Sequence, residues 1–191
     1  MDEQQRRRLR LGLLSELVAS APCKLGRTAI MKLAYLLQTT KGIPLGYNFR
    51  LYTYGPFDSE VLNDLDQAEE LKAIKSEVVT FSSGSGYGYE FLPGEKHARI
   101  QRVAANDLAA YRDSIRWALD RFSQKSAADL ELLSTIVFAD REMASLGKQV
   151  SYHELVRKVK NIKQRFTEST ILHEVEELAS AGLLVASHEG D

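Results

Sequence analysis

Apolar and polar positions follow a helical period through most of this chain, and short alternating stretches separate the helices. The first such period predicts a helix that ends near Pro22. Its apolar face consists of Leu9, Leu13, Leu14, Leu17 and Val18. A second apolar face runs from Ile30 to Leu37, and Thr28 is placed to cap that helix.

The stretch 49–54 alternates apolar and polar side chains, which predicts a strand. Gly55 and Pro56 should end it, because proline cannot donate to a sheet ladder. We expect Pro56 and Phe57 to open a third helix with acidic residues in its first turn, where the helix dipole favours them.

Two further strands are predicted at 74–81 and 87–92, around a Gly/Ser-rich turn at 82–86. Three helices followed by a hairpin form the winged-helix layout. The Gly/Ser turn would then be the tip of the wing.

The second half of the chain reads as helical. A long helical region starts at Pro93 and is interrupted at 124–127. Three more helices are predicted at 127–146, 151–160 and 167–181, with a short closing strand at 183–186. Ser151 and Glu154 have the spacing of a capping box at the start of the second of these helices.

These elements predict an α+β protein that is mostly α, with two winged-helix-like units linked by a long helix. The N-terminal unit would cover residues 1–95 and the helical C-terminal unit residues 96–191. The repeat is one of architecture, since no sequence repeat accompanies it.

Charge balance argues against bulk affinity for nucleic acid. Lys and Arg number 25 against 26 Asp and Glu, so the net charge is −1. The single cysteine, Cys23, rules out an internal disulfide and favours a reducing compartment. No stretch is apolar and long enough to span a bilayer, and we expect a cytoplasmic protein without membrane contact.

Catalytic motifs are absent from the sequence: it contains no phosphate-binding loop, no dinucleotide fingerprint and no HExxH metal motif. The four histidines, at positions 97, 153, 173 and 188, lack ligand spacing. We therefore expect no enzyme activity, no cofactor and no metal.

The third helix and its start carry an excess of carboxylates, where a winged-helix protein keeps its DNA-reading helix. They belong to Asp58, Glu60, Asp64, Asp66, Glu69 and Glu70. Carboxylates repel phosphates, so this helix is not expected to read DNA. The pattern leaves two interpretations open: a solvated helix face, or an anionic surface for a basic protein partner.

Arg50, Tyr52 and Tyr54 share one face of the predicted strand, because side chains alternate. If the intervening positions, Thr53 among them, face the core, this row is exposed. Tyrosine and arginine are enriched at binding hot spots. Alternatively, the tyrosines pack beneath the loop that follows.

Two basic clusters support a different hypothesis, a winged-helix DNA-binding transcriptional regulator. Its candidate contacts are Arg6, Arg7, Arg8, Arg157, Lys158, Lys160, Lys163 and Arg165. The first three would act as a minor-groove arm, and the others would hold a phosphate backbone. Solvated helix ends or pairing with nearby acids would also explain them.

Two segments resemble a known family. The helix Lys32–Gln38 (KLAYLLQ) resembles the "KLxYLxQ" helix of YwgA-like proteins and of the related Panacea (SocA-type antitoxin) domains. Residues 46–57 (GYNFRLYTYGPF) resemble their "GYxFxxYxYGP" strand and turn. The resemblance extends over residues 1–95, and the remainder matches only in helical layout.

The resemblance implies an antitoxin function. A YwgA-like domain is similar to the C-terminal domain of DarG antitoxins, whose implied role is to occupy the DNA-binding groove of the DarT toxin by imitating single-stranded DNA. DarT is a DNA ADP-ribosyltransferase. DarG also carries a macrodomain, and this chain contains no counterpart of it.

The leading hypothesis is thus a non-catalytic antitoxin module that neutralises a DarT-like toxin. The partner would be a cognate toxin, contacted by the six carboxylates and by Arg50, Tyr52 and Tyr54. DNA is a partner only under the regulator hypothesis. The sequence does not indicate an oligomeric state.

Overall fold

Helices dominate the computed structural model, which describes residues 1–80, 86–147 and 150–187. In chain order the elements are α1 (Glu3–Ser20), β1 (Leu25–Gly26), α2 (Arg27–Lys41), β2 (Arg50–Tyr52), β3 (Gly55–Phe57), α3 (Ser59–Glu70), β4 (Ile74–Thr80), β5 (Tyr87–Pro93), α4 (His97–Leu108), α5 (Arg112–Phe122), α6 (Ala127–Ser145), α7 (Tyr152–Ile162) and α8 (Glu168–Ser180). The predicted class, α+β and mostly α, is confirmed.

The first unit consists of Met1–Phe49 and Phe57–Ala127. Its three-stranded sheet has the order β1–β5–β4 and is antiparallel throughout, with Phe91 of β5 between Leu25 of β1 and Ser76 of β4. Helices α1 to α3 and this sheet follow the winged-helix layout expected from the sequence. The predicted tip of the wing, at 82–86, lies outside the described residues except for Gly86.

The core of the first unit forms where the apolar faces of its helices meet the inner face of the sheet. Fully buried members include Leu9, Leu13, Leu33, Leu36, Val61 and Phe91. Each such side chain contributes roughly 2 kcal/mol of burial free energy. Gly12 lets α4 approach α1 closely, since a Cβ atom there would lie 2.4 Å from the Cβ atom of Ala104.

Local predictions differ from the structure at three places in this unit. Helix α2 starts at Arg27 with Gly26 at its N-cap position, so Thr28 lies inside the first turn. The long helix is two helices, α4 and α5, separated by a 3-10 turn at Ala109–Tyr111. Both pack with α1, and the division between the units therefore falls after Ala127, where we had expected it after residue 95.

The second unit consists of Arg50–Pro56 and the described residues from Ala128 onward. Helices α6, α7 and α8 form it together with the two-stranded hairpin β2–β3. The predicted capping box of Ser151 and Glu154 is confirmed at the start of α7.

The predicted closing strand at 183–186 is wrong: these residues form no strand, and the next residue, Ser187, makes one parallel bridge with Ser151. A buried carboxylate accepts backbone hydrogen bonds from this segment in place of a neighbouring strand. Asp140 is fully buried and accepts hydrogen bonds from the backbone N–H groups of Val185 and Ala186, at 2.9 and 2.8 Å. The tail is thereby held by a side chain in addition to the backbone hydrogen bonds of the bridge.

In the part of the chain that the structure describes, no helix combines the length and apolar character needed to cross a bilayer.

Candidate protein-binding surfaces

The hairpin β2–β3 presents the predicted aromatic row to solvent. Tyr52 is 59% exposed and Tyr54 is 69% exposed, and Arg50 is exposed as well. These fractions are high for tyrosine, which is usually at least half buried. The structure therefore confirms that the row is exposed and does not pack beneath the following loop.

Buried backbone contacts hold the base of this hairpin. Gly55 and Pro56 are buried, and a Cβ atom at Gly55 would lie 3.1 Å from the Oγ1 atom of Thr135 in α6. Gly55 also has a φ of +86°, a left-handed conformation that a side chain would strain. The Nζ atom of Lys163 donates a hydrogen bond to the Thr53 carbonyl at 2.5 Å. The tyrosines thus project from a fixed base.

Two details of the predicted strand are wrong. Thr53 is exposed and lies in the turn, because the chain reverses between β2 and β3 rather than continuing straight. Pro56 belongs to β3 and does not open α3, which begins one residue after its cap, Asp58.

The basic residues near the end of the chain serve the fold of the second unit. Lys163 is 4% exposed and pairs with Glu131 at 2.7 Å. Arg165 pairs with the same carboxylate at 2.9 Å. These contacts fix the loop between α7 and α8 to α6.

The other two lysines of this cluster also form ion pairs or hydrogen bonds, whereas Arg157 forms none with the described residues. Lys158 pairs with Glu142 at 2.5 Å, and Lys160 donates to the carbonyls of Gln164 and Phe166. Arg157 is exposed and makes no hydrogen bond or ion pair with the described residues. One free cation is a small remainder of the predicted phosphate-binding surface.

The N-terminal arginines lie on helix α1 and contact the first unit. Arg7 donates to the Gln67 side chain at 2.8 Å, and Arg8 pairs with Asp107 at 3.1 Å. The side chain of Arg6 passes so close to Gly46 that a Cβ atom there would lie 2.8 Å from it. These residues are therefore part of an ordered helix and not of a flexible arm.

Two of the carboxylates at α3 are bound to backbone groups. Asp58 caps the helix: it accepts from the N–H of Glu60 at 2.9 Å and from the N–H of Asn48 at 2.5 Å. Glu69 accepts from the N–H of Ser76, at the start of β4, at 2.7 Å. Both side chains connect α3 to neighbouring segments.

Asp64 is buried, 5% exposed, and accepts a hydrogen bond from the Tyr47 hydroxyl at 2.7 Å. The Arg10 guanidinium lies 3.7 Å from its carboxylate and 4.3 Å from the centre of the Tyr47 ring. Burial raises the pKa of Asp64 above its ordinary value, although the Tyr47 hydroxyl and Arg10 act in the opposite direction. Burial, reinforced by Asp64, raises the pKa of Tyr47 well above its ordinary value.

A cleft of about 410 Å³ lies between α1 and α3, beside this buried group. Arginines and carboxylates line it together. Arg10 lies 3.7 Å from both Glu60 and Asp64, whereas Arg7 donates to the Gln67 side chain. The pairing of Arg10 with Glu60 and Asp64 joins α1 to α3.

Three carboxylates of the predicted set stay on the surface. Glu60 has a side chain that is 49% exposed, and Asp66 and Glu70 are exposed. Neither Asp66 nor Glu70 forms an ion pair or hydrogen bond with the rest of the described chain. Three of the six predicted carboxylates are thus on the surface, and Glu60 among them is paired with Arg10.

Sequence reasoning missed the structural role of Asp64, although a signal was present. Val61, Leu65 and Ala68 form the buried face of α3, and Asp64 falls on that face at helical spacing. It also missed a groove between α7 and α8, whose lining residues come from two separate helical periods.

Within the ranges that the structure describes, histidine, cysteine and acidic residues form no cluster of three that would hold a metal ion. His188 lies outside those ranges. His97 contacts the Ser15 hydroxyl through its Nδ1 atom at 2.8 Å, which explains its place on the apolar side of α4. No protein-family model matches this chain, and no curated protein matches it either.

Proposed function

We propose that this chain is a non-catalytic protein-binding module of the antitoxin type, with the hairpin β2–β3 at the centre of its contact surface. The observation that carries the proposal is the pair of tyrosines, 59% and 69% exposed, on a hairpin whose base is buried. A rigid aromatic anchor is a common origin of binding energy at protein interfaces, because little side-chain entropy is lost on binding.

The target class that fits this surface is a protein that itself binds single-stranded nucleic acid. Such proteins bind bases by stacking and bind phosphates with cations. Tyr52 and Tyr54 supply rings for the stacking positions. The first unit, considered by itself, carries the exposed carboxylates of Asp66 and Glu70, which are candidates for separate contacts with cations. We propose a DarT-like DNA ADP-ribosyltransferase as the toxin, by the family resemblance described above.

Four carboxylates have no part in this proposal, because each is bound within the first unit: Asp58, Glu60, Asp64 and Glu69. The proposal therefore depends more on the aromatic hairpin than on charge. A charge contribution should appear mainly in the association rate and its salt dependence.

The test is inhibition of a purified DarT-type toxin acting on a single-stranded oligonucleotide. The unaltered chain should inhibit modification at near-stoichiometric ratio and bind the toxin in calorimetry. The double variant Tyr52→Ala/Tyr54→Ala should bind about 100-fold more weakly, since hot-spot tyrosines contribute about 1–2 kcal/mol each.

A matched control is Tyr87→Ala, which removes a tyrosine that is 65% exposed in the first unit. It should inhibit like the unaltered chain. The proposal is overturned if the chain leaves the toxin fully active. It is also overturned if the double variant inhibits as well as the control.

A further inference from the structure

A groove between α7 and α8 forms a second candidate surface, within the second unit and apart from the tyrosine pair. Its volume is about 450 Å³, inside the range of natural ligand sites, roughly 300–1,000 Å³. Val156 of α7 and Leu172 of α8 give it an apolar floor, and Leu172 remains 39% exposed. An apolar groove with an exposed leucine is typical of a surface that receives an apolar side chain.

Carboxylates flank this floor on α8. Glu168 and Glu176 both line the groove, and they lie four residues before and four residues after Leu172. At 1.5 Å rise per residue the three positions follow one helix face at intervals of roughly 6 Å. Both glutamates are exposed, and neither pairs with a cation among the described residues.

We infer that this groove binds a cationic amphipathic helix of a partner protein. One apolar side chain of that helix would enter beside Leu172, and a Lys or Arg four residues to either side of it would meet Glu168 and Glu176. The occupant is specified by charge complementarity together with spacing, because a helical ligand repeats along its face at the same interval as α8.

The alternative occupants fit the groove less well. An acidic helix would place its charges against two uncompensated carboxylates. A neutral apolar molecule would leave the two glutamates without a role.

The test uses the full chain and two synthetic helical peptides as probes. The basic peptide carries one Leu with an Arg four residues before and four residues after it, on an Ala/Gln background. The acidic peptide replaces both arginines by Glu. Fluorescence anisotropy should show saturable binding of the basic peptide only, and amide shifts in a nuclear magnetic resonance titration should be confined to α7 and α8.

Reversal of the two glutamate charges then tests whether charge complementarity determines which peptide binds. Glu168→Lys/Glu176→Lys should weaken binding of the basic peptide about tenfold or more and should gain affinity for the acidic peptide. The matched control is Glu177→Lys, which makes the same change at an exposed position of α8 that does not line the groove. It should bind both peptides as the unaltered chain does.

Three outcomes would overturn the inference. The first is absence of binding of the basic peptide at millimolar concentration. The second is an equal loss in Glu177→Lys, which would indicate unspecific attraction. The third is a dimer of the chain that Leu172→Asp dissociates, which would show that a second copy covers the groove. None of these outcomes depends on the toxin assay, because they concern a different surface and different variants.

Discussion

The third helices of the two units, α3 and α8, are both rich in carboxylates, but they differ in how many of these side chains are bound within the fold. In α3, Asp64 and Glu69 are bound within the fold. In α8, Glu168, Glu176 and Glu177 remain exposed. The number of acidic residues on a helix therefore does not give the charge of its surface; their position relative to the buried face does.

Donors explain the difference. Helix α3 is next to segments that present donors or a cation to its carboxylates: the backbone N–H of Ser76, the Tyr47 hydroxyl and the Arg10 guanidinium. A carboxylate can accept several hydrogen bonds at once and is suited to join such groups. Glu168, Glu176 and Glu177 of α8 form no hydrogen bond or ion pair through their carboxylates with the described residues, and these three side chains are exposed to water.

Removal of Asp64 should have the largest effect of the changes that test this comparison. Asp64→Ala leaves the Tyr47 hydroxyl without its acceptor and the Arg10 guanidinium without a buried counter-charge. We expect a loss of about 3 kcal/mol in the free energy of unfolding. Denaturant titration measures it.

The control for this variant is Asp66→Ala on the same helix. Asp66 is exposed, and its removal should change the free energy of unfolding by less than about 0.5 kcal/mol. If the two variants lose equal stability, the buried group of α3 is not a source of stability and the contrast with α8 fails.

The free energy of unfolding should depend on pH in a way that reflects the titration of Asp64. Because its pKa is raised in the folded state, the folded chain holds this proton more tightly than the unfolded chain does. The contribution of Asp64 to the free energy of unfolding should be greatest below the ordinary aspartate pKa. It should decrease as the pH rises through the raised pKa and should be constant at higher pH. The measurement is the free energy of unfolding against pH for the unaltered chain minus that for Asp64→Asn, which cannot titrate. A difference that grows with pH in this window would contradict the assignment.

Asp58→Ala should cost about 1 kcal/mol, because it removes the N-cap of α3. Asp58→Ser separates the two functions of this side chain. Its hydroxyl still caps the N–H of Glu60, but it does not also bind the N–H of Asn48. We expect it to lie between the unaltered chain and the alanine variant in thermal unfolding. A serine variant as unstable as the alanine variant would place the whole effect in the Asn48 contact.

The sequence predicts features of this fold that are local. The capping box of Ser151 and Glu154 depends on residues within one helical turn, and it was predicted correctly. The prediction for Pro56 was wrong because proline ends a strand only where the neighbouring strand requires a backbone N–H at that position, which proline lacks. In the structure Gly55 and Pro56 are buried in a short edge strand, where no donor is needed.

The surfaces were predicted less well, because burial of a charge depends on partners that are distant in sequence. The exposure of Arg50, Tyr52 and Tyr54 was one of two interpretations that the sequence left open, and the structure bears it out, although Tyr54 lies in the turn and not on an alternating strand. The burial of Lys163 was not predictable, since its partners are Glu131 and, 110 residues away, the carbonyl of Thr53. A cluster of basic residues in the sequence is therefore weak evidence for a basic surface.

The smallest effects on stability should come from charge reversal on α8. Glu177→Lys should be neutral or more stable by about 0.3 kcal/mol, because it places a cation in the last turn of the helix. Glu168→Lys should cost about 0.5 kcal/mol, because the same cation then lies in the first turn. Differential scanning calorimetry at low ionic strength measures both, and the difference between them should shrink in 1 M salt. If either variant lost as much stability as Asp64→Ala, α8 would hold its carboxylates as α3 does, and they would no longer be free to meet a cationic helix.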